Sequence, residues 1–318
     1  MLNDRLTYVV GADVVDVKIR DYLKHSEKLS GRFIKSSGLT GKISVNDKVA
    51  KLNHRVKTDD KIEIDMKRDE HQNIEPEKME LDVVYEDIDL IVINKSPGIV
   101  VHPTRGYPYG TLANGVLYYF KEKGENCIVR LVSRLDRDTS GLIIIAKNQF
   151  SHMALARDMH GNDVLKSDLK KQSELVKTFE KSYMAVVHGN MEKKTGTIDL
   201  PIGNPNEDSA KREVWEDGQR SVTHYEVIES FKNGDLLKVT LETGRTHQIR
   251  VHLSHIGHPL YGDSLYGTCE SEYIDRQALH AYKLIIPHPR TGEQLILKSK
   301  LPEDIENLVS KLKAESEI

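Results

Sequence analysis

Residues 133–141, Ser-Arg-Leu-Asp-Arg-Asp-Thr-Ser-Gly, set two carboxylates, Asp136 and Asp138, among two guanidinium groups, Arg134 and Arg137. A carboxylate beside such charges stays ionised, as a nucleophile must. The apolar run Leu142-Ile143-Ile144-Ile145-Ala146 follows directly, between Gly141 and Lys147. A run of that length reads as a strand buried on both faces, which anchors the charged loop to the core. Asp-Thr-Ser-Gly is equally well read as a side-chain-stabilised turn entering a strand. The residues alone do not choose between the two acids, and a carboxylate pair would also serve a glycosidase.

Two further clusters carry polar chemistry. In Gly244-Arg245-Thr246-His247-Gln248-Ile249-Arg250-Val251-His252, Thr246 is placed to cap a helix with Ile249, Leu253 and Ile256 on one face and Gly257 past its end. A helix N-terminus favours anions, and arginines there can pair bidentately with carboxylate or phosphate. The bland alternative is a solvated polar face. In Lys181-Ser182-Tyr183-Met184-Ala185-Val186-Val187, strand alternation puts Lys181, Tyr183, Ala185 and Val187 on one face. Tyrosine at such a place is ordinary sheet packing, unless a base stacks on it.

These clusters need a folded scaffold, and the composition supplies one. The chain has 318 residues, 38% hydrophobic and 30% charged, enough for one large domain plus a small one. Its apolar runs fall far short of the roughly 20 residues that cross a bilayer. Met1-Leu2-Asn3-Asp4-Arg5 lacks the pattern of a signal peptide. Cys127 and Cys269 stand far apart, so neither a disulfide framework nor a zinc-ligand cluster is indicated. A cytoplasmic protein with no membrane partner is expected.

The formal net charge of −3 hides an asymmetry: Lys18 to Lys57 holds eleven Lys/Arg against three acids, a net +8. A basic segment on a near-neutral chain implies a polyanion partner for that segment, with a solvated lysine-rich surface as the plain alternative. Asp16 to His25 reads as one helix, and Ser30 would cap a second, Gly31 to Ser37, ended by Gly38. Lys42–Val45 and Lys61–Ile64 alternate as strands, with a turn at Asn46-Asp47. Residues 66–80 are charge-dense and read as a linker region. Beyond it come strands at Leu90–Asn94, Tyr183–Val187 and Leu236–Leu241. A hairpin follows around Pro287-His288-Pro289-Arg290-Thr291-Gly292.

Taken together, the motifs resemble the RluA family of pseudouridine synthases, in its branch with an N-terminal RNA-binding module. Ser30-Gly31-Arg32-Phe33-Ile34-Lys35 and Gly41-Lys42-Ile43-Ser44-Val45-Asn46-Asp47 are similar to the αL-type domain first recognised in a small-subunit ribosomal protein. Lys95-Ser96-Pro97-Gly98 resembles the first family motif, altered by an inserted Ser96, and Arg134-Leu135-Asp136 with Thr139-Ser140-Gly141 resembles the signature. Lys181-x-Tyr183-x-Ala185 and Gly244 to Arg250 complete the set in the family's order, within a catalytic resemblance from about Val83 to Leu301.

The resemblance implies an α+β catalytic domain on a mixed, mainly antiparallel sheet, preceded by a small αL-type RNA-binding domain. The expected bounds are 1–70 for the RNA-binding domain, 71–80 for the linker and 81–318 for the catalytic domain. It implies that Asp136 is the nucleophile and leaves Asp138 to the turn. Tyr183 would stack against the target uracil, and Ile249 would keep the pocket apolar. Arg250, not Arg245, would pair with Asp136, and Arg134 would enter the RNA in place of the displaced uridine. Arg32, Lys35 and Lys42 are the expected RNA contacts of the small domain.

The implied reaction isomerises uridine to pseudouridine in structured RNA, large-subunit ribosomal RNA ahead of transfer RNA. It uses no metal and no organic cofactor, and a monomer is expected. Two departures stand out. Ser133 occupies the place where the family usually has His, which should leave activity intact. Met159 to Thr178 is longer than usual, as a surface insertion or an extra RNA contact. A non-catalytic RNA-binding or ribosome-assembly factor and a carboxylate-based hydrolase are the competing classes.

Overall fold

The structure is a computed structural model that describes residues 5–12, 14, 16–27, 29–66, 72–165, 179–206, 210–267 and 273–316, with side chains undescribed at 160–165. Most of the 159–178 insertion and Cys269 therefore lie outside the described residues.

The first unit is a four-stranded antiparallel sheet in the order Arg5–Val9, Lys61–Asp65, Ile43–Val45, Lys48–Val49. Helices Ile19–His25 and Gly31–Leu39 share its core, which gathers Leu6, Ile19, Leu23, Phe33, Ile43 and Ile62. Asn46 and Asp47 make the hairpin turn at φ 48° and 64°, the left-handed values such two-residue turns require. Two helix boundaries differ from the sequence reading. Val17–Lys18 is a short strand paired with Arg55–Val56, so the first helix begins only at Ile19. The second, capped by Ser30, does not stop at Gly38 but runs through Leu39. Gly38 makes room for the Leu52 side chain, which an added Cβ would meet at 2.5 Å; Gly41, at φ +66°, takes the left-handed exit.

The second unit is a ten-stranded sheet. Its main path runs Thr195–Asp199, Val222–Phe231, Gly234–Leu241, Glu180–His188, Leu279–Pro287, Ser140–Ala146, Leu90–Lys95, Val83–Glu86. Gln294–Lys298 pairs with Leu279–Pro287, and Arg130–Leu131 with Ser140–Ala146. The sheet is mixed and mainly antiparallel, as the resemblance implies. The exception is a parallel contact of two residue pairs, Ser140 with His280 and Gly141 with Ala281. Gly141 has φ +110°, and a Cβ there would sit 2.3 Å from the Ala281 carbonyl oxygen. Only glycine fits that approach.

All of Ser140–Ala146 is buried. On one face, Ile143 and Ile145 pack with Val116 and Phe120 of helix Leu112–Glu122. On the other, Leu142 and Ile144 pack with Leu155, Leu284 and Ile286. Two-sided burial is what an unbroken apolar run encodes. Residues 72–81 run along this unit: Gln72 pairs with the Val129 backbone, Asn114 Nδ2 donates to Glu75 O, and Ile74 and Leu81 join the core. Among the described residues, no helix is long and apolar enough to cross a membrane.

The seam is held by polar groups as well. His280, almost fully buried, bonds Ser140 Oγ through Nδ1 (2.9 Å) and Ser299 Oγ through Nε2 (2.8 Å). Burial, aided by the Arg276 charge, pushes its imidazole down to about 4. The unfolded chain takes up that proton near pH 6.5, the folded chain only near 4. Stability is therefore lost as pH falls through this window, by roughly 3 kcal/mol from this group. Urea unfolding at pH 7.5 and 4.5 should show that share of the acid loss missing in His280→Asn; an equal loss in both proteins would refute it.

Candidate active site

The loop that precedes the seam strand is fixed from three sides. Leu135 packs against the cores of both sheet halves. The Lys95 ammonium, buried inside the sheet, donates to the carbonyls of Ser96 (2.9 Å), Ile99 (3.0 Å) and Arg137 (2.8 Å). Burial pushes it down to about 7, opposed by the Asp138 and Asp136 charges. Arg276 is clamped by Asp304 (2.6 and 2.8 Å) and donates to the Asp138 carbonyl (3.0 Å), while Gln277 Nε2 donates to Thr139 Oγ1. A one-turn bond, Thr139 N to Asp136 O, closes the loop.

So held, the two acids face opposite ways. The Asp138 carboxylate pairs with its neighbour Arg137, whose Nη1 also donates to the Tyr107 hydroxyl. The Asp136 carboxylate accepts from Arg250 Nη1 at 3.1 Å and lies 3.8 Å from His247 Nε2. Both contacts fall on Oδ2. Arg250 is buried and gripped by fully buried Asp263, Nε to Oδ2 at 2.7 Å and Nη2 to Oδ1 at 2.8 Å. Burial alone would weaken its charge, but Asp263 and then Asp136 more than offset that, and the guanidinium stays firmly cationic.

Arg250 stands on helix Gln248–His255, which starts differently from the sequence reading. Thr246 does not cap it. His247 is the N-cap residue, in left-handed backbone at φ +58° with no side-chain cap bond. The Gln248 amide does the anchoring: Oε1 accepts from Arg245 N and Thr243 Oγ1, and Nε2 donates to Val222 O and Thr223 Oγ1. That uses the amide's full capacity and pins the helix to strand Val222–Phe231.

A cavity of about 480 Å³ opens in front of Asp136, lined by Arg134, Leu135, Phe179, Lys181, Tyr183 and Arg245 among others. That lies within the ~300–1,000 Å³ of small-molecule sites. Tyr183 also lines a smaller adjoining pocket of about 60 Å³, with Ile249, Arg250 and Leu279, and packs with Ile249 and Leu279 in one apolar cluster. Burial, with the Asp136 charge adding to it, raises the Tyr183 phenol and keeps it protonated. Burial also pushes Lys181 down to about 8. Arg134 is exposed at the rim and Ser133 is half-buried beside it.

The structure thus brings Arg134, Asp136, Tyr183, Ile249 and Arg250 together. It does not bring the small-domain residues there. Arg32 and Lys35 are exposed on helix Gly31–Leu39, and Lys42 lines a separate cleft of about 860 Å³ between the two units. Asp263, Tyr266, Arg276 and Gln277 carry no local sequence signal, because their partners lie on other elements. Asp87, Asp89 and His288 are close enough to share a cation, but Asp89 is taken by Arg290 and Asp87 by His288.

A sequence model described as RNA pseudouridylate synthase matches residues 89–255. The chain is similar to the "Uncharacterized RNA pseudouridine synthase YlyB" of Bacillus subtilis (strain 168), 40% identical over 276 residues, 86% of each chain. It is 37% identical over 298 residues to the ribosomal large subunit pseudouridine synthase D of Yersinia pestis, covering 89% of this chain and 87% of that one. The solved structure of human RNA pseudouridylate synthase domain containing 4 shares the fold, with TM-score 0.57 at 23% identity over 72% of this chain and 92% of that one.

Lys95→Met would take from the Ser96, Ile99 and Arg137 carbonyls the donor they share, at about 1.5–3 kcal/mol for a hydrogen bond to a charged group. It would also free the Asp136 loop, and misplacement of about 1 Å costs on the order of 10²-fold in rate. Turnover should fall far more than the melting temperature accounts for; a variant as active as the parent would show that Lys95 does not position the loop.

Proposed function

The chain belongs to the RNA pseudouridylate synthase family, and from that footing we propose that Asp136 is its nucleophile and that its targets are uridines of structured RNA, large-subunit ribosomal RNA foremost. The observation that carries the nucleophile is the Asp136 carboxylate, facing the cavity with Arg250 on one oxygen and Tyr183 alongside. The substrate class is supported by the likeness to a ribosomal large subunit synthase over most of both chains.

In this reading the target uridine leaves the RNA stack at a cost of a few kcal/mol. Arg134, exposed at the rim, fills the space it vacates, and the uracil ring lies against Tyr183 and Ile249. Asp136 acts at the sugar while the bond from C1′ to N1 breaks. The ring turns and a bond from C1′ to C5 forms; C5 loses its proton and N1 gains one, so mass is unchanged. The fixed cation of Arg250 stabilises charge on the carboxylate without reorganising, which is the economical use of a preset dipole or ion.

Residues 1–70 serve as the RNA-binding domain, joined through 71–80 to a catalytic domain at 81–318. Exposed Arg32 and Lys35 make the phosphate contacts of the small domain, and Lys42 contributes from the lining of the cleft.

Asp136→Asn should abolish pseudouridine formation on ribosomal RNA while RNA binding persists; turnover by that variant would remove the nucleophile assignment. Pseudouridine mapping of ribosomal and transfer RNA, with and without the protein, tests the substrate. Gln at Arg32 and Lys35 together should weaken RNA binding and reduce the slope of log K against log salt by roughly 0.7–0.9 per lost contact. An unchanged slope would take the small domain out of phosphate binding.

A further inference from the structure

His247 and Tyr266 have no part in the scheme above, yet both touch its charged centre. His247 holds a left-handed backbone, φ +58°, that a non-glycine residue adopts at a cost. Its Nε2 faces Asp136 Oδ2 at 3.8 Å, and its Nδ1 lies 2.9 Å from the Tyr266 hydroxyl. That hydroxyl accepts from Arg212 N at 2.8 Å. Its own proton has His247 Nδ1 as its acceptor among the described residues, so the network makes Nδ1 the acceptor and leaves the proton on Nε2. The Tyr266 ring meanwhile supports the Arg250 guanidinium, 5.1 Å from its centroid, and Tyr266 N donates to Asp263 Oδ1.

We propose that His247 is a positioning residue for Asp136: Tyr266 fixes it as the Nε2–H tautomer, and with Arg250 it commits Oδ2 to protein donors and leaves Oδ1 as the oxygen that meets the substrate. The proposal rests on Asp136 being the nucleophile. No hydrogen bond reaches Oδ1 from the described residues, whereas both contacts fall on Oδ2. The 3.8 Å separation is longer than a hydrogen bond, and catalytic contacts of this kind tighten when substrate binds. Burial keeps the imidazole on the neutral side of its ordinary range; the charges facing it are Asp136 and Asp263, which oppose this, and Arg250 and Arg212, which favour it. A neutral ring has a single N–H, so the tautomer decides whether Asp136 receives it.

The test uses the full chain with an RNA substrate, and two variants chosen for small perturbation. Tyr266→Phe removes one hydroxyl and keeps the ring under Arg250; His247→Asn keeps a residue tolerant of left-handed backbone. Each should lower kcat tenfold or more with KM within about twofold. The double variant should be no worse than the weaker single one, because the two act as one unit. Nitrogen-15 NMR of His247 should show a protonated Nε2 in the parent and a changed tautomer balance in Tyr266→Phe. Unchanged kcat in both variants, a protonated Nδ1 in the parent, or additive losses would overturn the proposal. Asp136→Asn run alongside separates the cases: if that variant turns over, the nucleophile reading has failed, and if it is dead while His247→Asn is fully active, only the positioning role has.

Discussion

The approach of Gly141 to the Ala281 backbone is the constraint on which the catalytic unit depends. Two antiparallel sets of strands, one ending in Ser140–Ala146 and the other in Leu279–Pro287, become one sheet through a parallel contact of two residue pairs. Any side chain at 141 would strike the Ala281 carbonyl. Asp136 comes from the loop entering one set, whereas Tyr183 and Arg250 stand on or against the other. The cavity exists because the seam closes. Its precision follows from how rigidly the two halves are joined.

Rigidity at the seam comes from charge held away from water. Arg250 with Asp263, Arg276 with Asp304, and Lys95 with three carbonyls are all buried or nearly so on the cationic side. Desolvating such groups is costly, and stability is seldom the gain. What each provides is direction. Arg250 has two of its nitrogens fixed by Asp263, so the third can point only at Asp136. Arg276 and Lys95 each give a hydrogen bond to the backbone of this loop, Arg276 to the Asp138 carbonyl and Lys95 to the Arg137 carbonyl, which sets where residue 136 can be. A preset environment of this kind suits a reaction in which charge moves at a sugar carbon.

Among the described residues, specific contacts join the two units. Phe33 lies 6.5 Å from Phe150 between ring centroids, Ser30 reaches Met153, and Arg290 donates to Arg5 O while clasping Asp89. The apolar faces of Phe150 and Met153 complete the small unit's core. Basic residues of helix Gly31–Leu39 are therefore displayed at a set distance from the cavity, without entering it.

Much of this was legible in the residues. The run 142–146 announced a strand buried on both faces because two-sided burial leaves no polar position to interrupt it. Asn46-Asp47 announced its hairpin through the backbone angles those side chains tolerate. Helix starts were less legible: Thr246 looked like a cap, but the Gln248 side chain satisfies the approach to the helix instead, using partners on a strand more than twenty residues earlier. Gly38 looked like a stop and is a packing gap for Leu52. The sequence by itself determined the inventory of charges, the strand that anchors them and the family to which they belong. The family resemblance implied the pairing of Asp136 with Arg250, but only the tertiary structure supplies the groups that make it: Asp138 turns to its neighbour Arg137, and Asp136 turns in to Arg250, 114 residues away along the chain and held by Asp263. The reason is physical: local periodicity encodes which face of an element is apolar, whereas the orientation of one carboxylate is fixed by groups that meet only when the sheet closes at Gly141.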